Sequence, residues 1–186
     1  MQTKIRVGFD FDGVLFYNAA RNLRAFIYFV KRYLLGIKKT QFFVPKTKNI
    51  FVQNLILALH KSSYKPNKGF DQFLKLLKNP KYEVYIITAR LSFMQQDLHQ
   101  LLKTYDFKGI KQIIQNQKDD QPHLYKEKLV KKLKLNYFFD DNWDIIKHLS
   151  ENTDAKVIWI DNLIDSWFIK YPYKGRDLEQ ALQHLK

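Results

Sequence analysis

The feature that most constrains this chain is the run Ile5-Arg6-Val7-Gly8-Phe9, which closes on Asp10-Phe11-Asp12-Gly13-Val14. A short, mostly apolar run ending at a turn signal reads as a buried β-strand. In an open parallel α/β sheet, ligands bind outside the C-terminal ends of the strands. The run therefore predicts two carboxylates, two residues apart, at such an end. Together they can supply a nucleophile, a proton-transfer group and ligands for a hard metal ion. Asp-x-Asp also occurs in ordinary turns, where Asp bonds its own backbone, so the rest of the chain has to decide.

Two further runs match the first. Val84-Tyr85-Ile86-Ile87-Thr88-Ala89-Arg90 is an apolar strand ending in a hydroxyl, and Tyr137-Phe138-Phe139-Asp140-Asp141-Asn142 is one ending in two carboxylates. Between them and after them apolar residues recur at helical spacing instead. Helices are predicted over residues 70–77, 92–103, 125–133, 143–149 and 177–185. Strands are predicted at 4–10, 83–88, 110–114, 136–140 and 156–160, with an aromatic loop at 167–173. Alternating strands and helices predict an α/β fold, a parallel sheet covered by helices on both faces.

Residues 16–68 break this rhythm. Leu23, Phe26, Ile27, Val30 and Leu34 recur at helical spacing, as do Phe51, Val52, Leu55 and Leu59, with Pro45 as a breaker between them. The segment reads as two helices inserted straight after the first turn. Pro66-Asn67-Lys68-Gly69 returns the chain to the core, which then comprises residues 1–15 and 69–186.

Carboxylate pair, Thr, Lys and carboxylate pair, in that order and each at a strand end or helix start, resemble the haloacid dehalogenase-like (HAD) hydrolase superfamily in its phosphatase branch. The resemblance implies a three-layer, Rossmann-like core with strand order 3-2-1-4-5 and a small helical cap inserted after the first motif. It also implies a Mg²⁺-dependent phosphomonoester hydrolase working through an aspartyl-phosphate. Asp10 would be the nucleophile, and Asp12 would protonate the leaving oxygen and later activate water. Thr88 and Ala89 would bind the phosphoryl group. Asp10, Asp12 through its carbonyl, Asp140 and Asp141 would form an all-oxygen Mg²⁺ site. By alignment with the family pattern, Asp141 falls on the direct ligand and Asp140 supports it. Asp144 is a water-mediated candidate. The competing reading of Asp141-Asn142 is a helix N-cap. The chain has Val14 where many relatives have Thr.

The resemblance also implies a Lys before the second carboxylate pair, and the sequence offers two. Lys126 shares a helical face with Leu129, Val130 and Leu133, whereas Lys128 groups with Lys131 and Lys132. An inward Lys needs an anionic partner, which favours Lys126 as the phosphate-binding cation. Arg90 is open between a substrate contact and a surface residue. The five histidines form no metal-binding pattern, and Asp119-Asp120 reads as a solvated loop.

Composition bears on the partner. The net charge is +14, yet residues 16–68 hold eleven of the 32 Lys and Arg residues and no Asp or Glu. Either that segment is a solvated basic face or its field draws in an anionic substrate. A small phosphorylated metabolite is expected, a nucleotide favoured. This agrees with a resemblance of the motifs to 5′(3′)-deoxyribonucleotidase-like phosphatases. A polynucleotide end, or a nucleic-acid-binding scaffold that has lost catalysis, are the alternatives. No Cys is present, which excludes a disulfide framework and thiolate metal sites. Met1 runs directly into the first strand and no apolar run is long enough to cross a bilayer. A cytoplasmic protein with no membrane partner is the expectation.

Overall fold

β1 (Ile5–Phe9) lies at the centre of a parallel sheet, between β2 (Tyr82–Thr88) and β4 (Tyr137–Asp140). β3 (Ile110–Gln115) extends the sheet beyond β2, and β5 (Lys156–Ile160) and β6 (Lys174–Gly175) extend it beyond β4. The order is β3-β2-β1-β4-β5-β6. The five expected strands stand in their expected order. The sixth is two residues long, too short to leave a periodic signature. These features come from a computed structural model that describes residues 4–18, 42, 50, 53–54, 57, 65–105 and 107–185.

Helices α1 (Phe70–Leu77), α2 (Gln95–Thr104), α3 (Pro122–Leu133), α4 (Trp143–Asn152), α5 (Leu163–Phe168) and α6 (Leu178–Leu182) complete the described core. Alternate strand residues point to opposite faces, and the two faces build two apolar layers. Val7, Phe9, Val84, Ile86, Phe139, Ile158 and Ile160 pack with Phe73 of α1, Leu98 of α2 and Leu178 of α6. Tyr85, Ile87, Phe138, Val157 and Trp159 pack with Leu129 and Val130 of α3 and with Ile145, Ile146 and Leu149 of α4. Burial on both sides explains why the strands read as continuous apolar runs. Gly8 belongs to this second face. A Cβ there would lie 2.6 Å from Leu135 Cδ1 and 2.7 Å from Phe138 Cδ2, so the close approach needs glycine.

Several local expectations change. The helix expected over 92–103 is a 3₁₀ turn at Ser92–Met94 followed by α2, and the one expected over 177–185 spans Leu178–Leu182 with Asp177 as its N-cap. α3 starts at Pro122 rather than Tyr125, because proline fits the first helical turn, where its missing N–H costs nothing. Trp167 and Phe168 close helix α5 instead of opening a loop. Asp119 is not simply solvated. Its carboxylate accepts hydrogen bonds from Ser92 N–H (2.7 Å) and Ser92 Oγ (2.9 Å), while Asp120 is exposed.

The first turn is tightly made. The Phe11 carbonyl accepts from both Leu15 and Phe16 N–H at 3.1 Å, and Gly13 N–H donates to the Phe16 carbonyl at 2.7 Å. Phe16 is buried against Phe11, Phe70 and Tyr105. Beside it the outgoing and returning chains pair. Tyr17 N–H donates to the Lys65 carbonyl (2.8 Å) and Asn67 N–H to the Leu15 carbonyl (2.9 Å). The side chain of Asn67 adds bonds to the Gly13 and Val14 carbonyls at 3.2 and 3.1 Å. The helical stripes expected from Leu23 to Leu34 and from Phe51 to Leu59 lie outside the described residues. Phe42, which is described, exchanges two hydrogen bonds between its backbone and the Gln121 side chain at the start of α3.

Candidate active site

Strand register builds the site. Phe9 pairs with Phe139, their rings stacked at 4.5 Å, and Asp10 N–H donates to the Phe139 carbonyl at 2.9 Å. The next residue on each strand is an aspartate. Asp10 and Asp140 therefore emerge side by side at the C-terminal edge of the sheet, where a ligand site is expected.

α3 supplies the cation. Lys126 lies on its inner face, 1% exposed, whereas Lys128 is exposed. Lys126 Nζ stands 2.9 Å from Asp10 Oδ2 and 2.6 Å from Asp140 Oδ2. The other oxygen of Asp10 accepts from Phe11 N–H (2.8 Å), and that of Asp140 from Asn142 N–H (2.9 Å). β4 ends at Asp140, so Asp141 escapes the alternation of faces that would have turned it away. The N-cap of α4 is Asn142, whose side chain accepts from Asp144 N–H at 2.9 Å, leaving Asp141 out of the capping role. Asp10, Asp140 and Asp141 each present an oxygen, and the three oxygens lie within 4.8 Å of one another. Asp144 is not part of that group.

Gly13 makes the room. It has φ +83°, and a Cβ on it would fall 2.1 Å from Asp141 Oδ2. Only glycine satisfies both the left-handed backbone and the contact.

Thr88 and Ala89 end β2 at the same edge. Thr88 is buried, with its hydroxyl accepting from Arg90 N–H at 3.2 Å, and Ala89 is half-buried. Arg90 is not a surface residue. It is 2% exposed and grips Asp12 with two bonds, Nε to Oδ2 and Nη2 to Oδ1, each 2.8 Å. This clamp was not legible as such. Its only sequence signal was an excess of carboxylates over the one inward Lys.

Burial dominates the electrostatics. It pushes the Asp10 carboxyl up to about 6; the Lys126 charge opposes that rise, while Asp140 and Asp12 add to it. Asp140 is likewise raised by burial, against Lys126. Burial works against the charge on Lys126, but the adjoining Asp10 and Asp140 outweigh it and hold the ammonium above its ordinary range. Four buried carboxylates, Asp10, Asp12, Asp140 and Asp141, thus face two buried cations, Lys126 and Arg90. A divalent cation would balance that set, and an all-oxygen group of three carboxylates suits Mg²⁺.

No protein-family model matches the chain, and no curated protein does either. Solved structures do. The chain is similar to the HAD-like hydrolase SP0104 of Streptococcus pneumoniae, with 14% identity over 100% of both chains and a TM-score of 0.59. It is similar to the HAD-hydrolase YfnB of Bacillus subtilis, solved bound to magnesium, with 13% identity over 98% of both chains and a TM-score of 0.63. A HAD hydrolase of family IA from Entamoeba histolytica shares 16% identity over 96% of this chain and 98% of its own, with a TM-score of 0.57. The fold is that of the HAD superfamily.

Proposed function

We propose that this HAD-fold chain is a Mg²⁺-dependent phosphomonoester hydrolase that works through an aspartyl-phosphate on Asp10. The observation that carries the reading is the buried group of Asp10, Asp140 and Asp141 around Lys126, at the ligand-binding edge of the sheet. A stable core gains little from burying so many charges, and their convergence favours chemistry.

The first step is attack of the Asp10 carboxylate on phosphorus, with Asp12 donating a proton to the departing oxygen. The P–O bond to the alcohol breaks as the P–O bond to Asp10 forms. In the second step Asp12 takes a proton from water, which attacks phosphorus and releases Asp10. Lys126 holds Asp10 in place and offsets charge on the transferred group. The Thr88 hydroxyl and the Ala89 N–H would hold phosphoryl oxygens. Asp10, Asp141 and the Asp12 carbonyl would hold Mg²⁺, with Asp140 in support. Once bound, the ion supplies positive charge against the crowded carboxylates and phosphate oxygens.

The substrate we favour is a small phosphorylated metabolite, a nucleotide first, because the acid-free stretch 16–68 gives the molecule its basic excess. The same charge supports a second reading, removal of phosphate from a polynucleotide end. Cleavage of such an end should weaken steeply with salt, since several phosphates are then engaged. Among the described residues no helix is long and apolar enough to cross a membrane, and we expect a cytoplasmic enzyme.

The test is phosphate release from a generic ester, with Mg²⁺ and in excess chelator, by the wild-type chain and by Asp10→Asn. Mg²⁺-dependent release that disappears in the folded variant supports the reading. Full activity in chelator, or substantial activity in Asp10→Asn, refutes it. A panel of nucleotides, sugar phosphates and phosphorylated oligonucleotides then separates the substrate classes.

A further inference from the structure

We propose that Arg90 is a positioning residue that fixes the Asp12 carboxylate for its two proton transfers. The proposal rests on the acid–base reading of Asp12 given above.

The geometry is specific. Arg90 Nε and Nη2 reach the two different oxygens of Asp12, each at 2.8 Å, the fork geometry in which guanidinium matches carboxylate best. A monodentate contact would leave the carboxylate free to rotate, whereas this one sets its plane. The arginine is itself held at several points. Its guanidinium lies over the Phe11 ring at 5.0 Å. Its N–H donates to Thr88 Oγ1 at 3.2 Å, and Gln115 Nε2 donates to the carbonyls of Arg90 (3.4 Å) and Leu91 (2.9 Å). The clamp thus ties the end of β2 to the turn after β1, across 78 positions of sequence.

Burial argues that the pair has a purpose beyond stability. Arg90 and Asp12 are 2% and 5% exposed. A buried ion pair barely repays its desolvation, and apolar residues of similar volume would serve a core as well. The cations are also divided by task. Lys126 contacts Asp10 and Asp140, while Arg90 contacts Asp12. Two carboxylates two residues apart are thereby given separate environments, the arrangement that lets a nucleophile and a proton-transfer group coexist. Thr88, expected to hold the phosphoryl group, also receives the Arg90 N–H. One short stretch, Thr88-Ala89-Arg90, therefore serves both the substrate and Asp12.

A double-mutant cycle tests this on one phosphate ester in Mg²⁺, with Asp12→Asn, Arg90→Lys and the two combined. Lys keeps the charge and loses the fork. The expected result is a fall in kcat of roughly 10- to 100-fold for Arg90→Lys, KM within about twofold, and no further loss when Arg90→Lys is added to Asp12→Asn. If Arg90→Lys does not fold, Arg90→Gln is taken through the same cycle, since its amide can still donate one hydrogen bond and the Asp12→Asn arm removes the carboxylate it would otherwise strand. Unchanged kcat in the folded single variant overturns the proposal. So do losses that multiply in the double variant, or a KM that rises with kcat unchanged, which would place Arg90 on the substrate instead. An Asp12→Asn variant with wild-type activity would be a different failure, that of the acid–base reading itself.

Discussion

Lys126 Nζ sits between two aspartates, 2.9 Å from Asp10 and 2.6 Å from Asp140, with 1% of the lysine exposed. One ammonium thereby bridges two carboxylates at the ends of neighbouring strands and offsets part of their charge. Its removal should be costly for stability as well as for turnover.

Lys126→Met is expected to lose about 3–5 kcal/mol of stability, the usual cost of stranding a buried charge. Adding Asp140→Asn should recover a large part, because one uncompensated carboxylate disappears with it. Urea denaturation of the single and double variants measures both. Equal stabilities for wild type and Lys126→Met would contradict the arrangement.

Gly13→Ala should damage the site out of proportion to its size. The added Cβ meets Asp141 Oδ2 at 2.1 Å, and φ +83° disfavours any side chain. Activity should fall by about tenfold or more, as it does when the support of a metal ligand moves. The rise in Tm on adding Mg²⁺ should shrink with it. An unchanged Mg²⁺ shift would show that Asp141 had not been displaced, or that it does not hold the ion.

The pH dependence of the metal-free protein has a definite sign. Burial raises Asp10 from 3.8 to about 6, so the folded state binds more protons than the unfolded one between those values. The stability contributed by protonated Asp10 is complete below about pH 3.8 and is lost as pH rises through about 6. In excess chelator, the wild type should therefore lose stability relative to Asp10→Asn across that window. Mg²⁺ at pH 7 should reverse the order, since it would bind the wild-type carboxylates. Denaturation midpoints for both proteins at pH 4, 5, 6 and 7 give the difference curve. A flat curve would place Asp10 at its ordinary acidity.

The basic segment makes its own prediction. Neutralising Lys38, Lys39, Lys46 and Lys48 should raise KM for a nucleotide several-fold at low salt. It should leave kcat nearly unchanged on a small, weakly charged ester. These residues would act by capture through a field screened over about 8 Å at physiological salt. A KM that stays put at low salt would leave the charge as solvated surface.

What could be read from the sequence was local: continuous apolar runs, helical spacing and short motifs at strand ends. The runs at Val7, Ile86 and Phe139 are buried on both faces, so their apolar continuity marked strands directly. The inward Lys126 was separable from Lys128 because a helix face is a matter of spacing. Contacts between distant segments left no such mark. Nothing in the order of residues joins Arg90 to Asp12, which depends on a register between β1 and β2 and on the reach of a long side chain. Helix α5 escaped because six residues rich in aromatics carry no clear helical stripe. The sixth strand escaped because two residues have no period at all.

The hydrogen bond from Tyr17 to the Lys65 carbonyl has a further consequence. The chain leaves at Tyr17 and returns at Lys65 in one place, already joined. Loop closure at such a point costs only about 0.6 kcal/mol for each doubling of length. Changes of length in the stretch that carries most of the net charge would thus add little closure cost at the turn it leaves from.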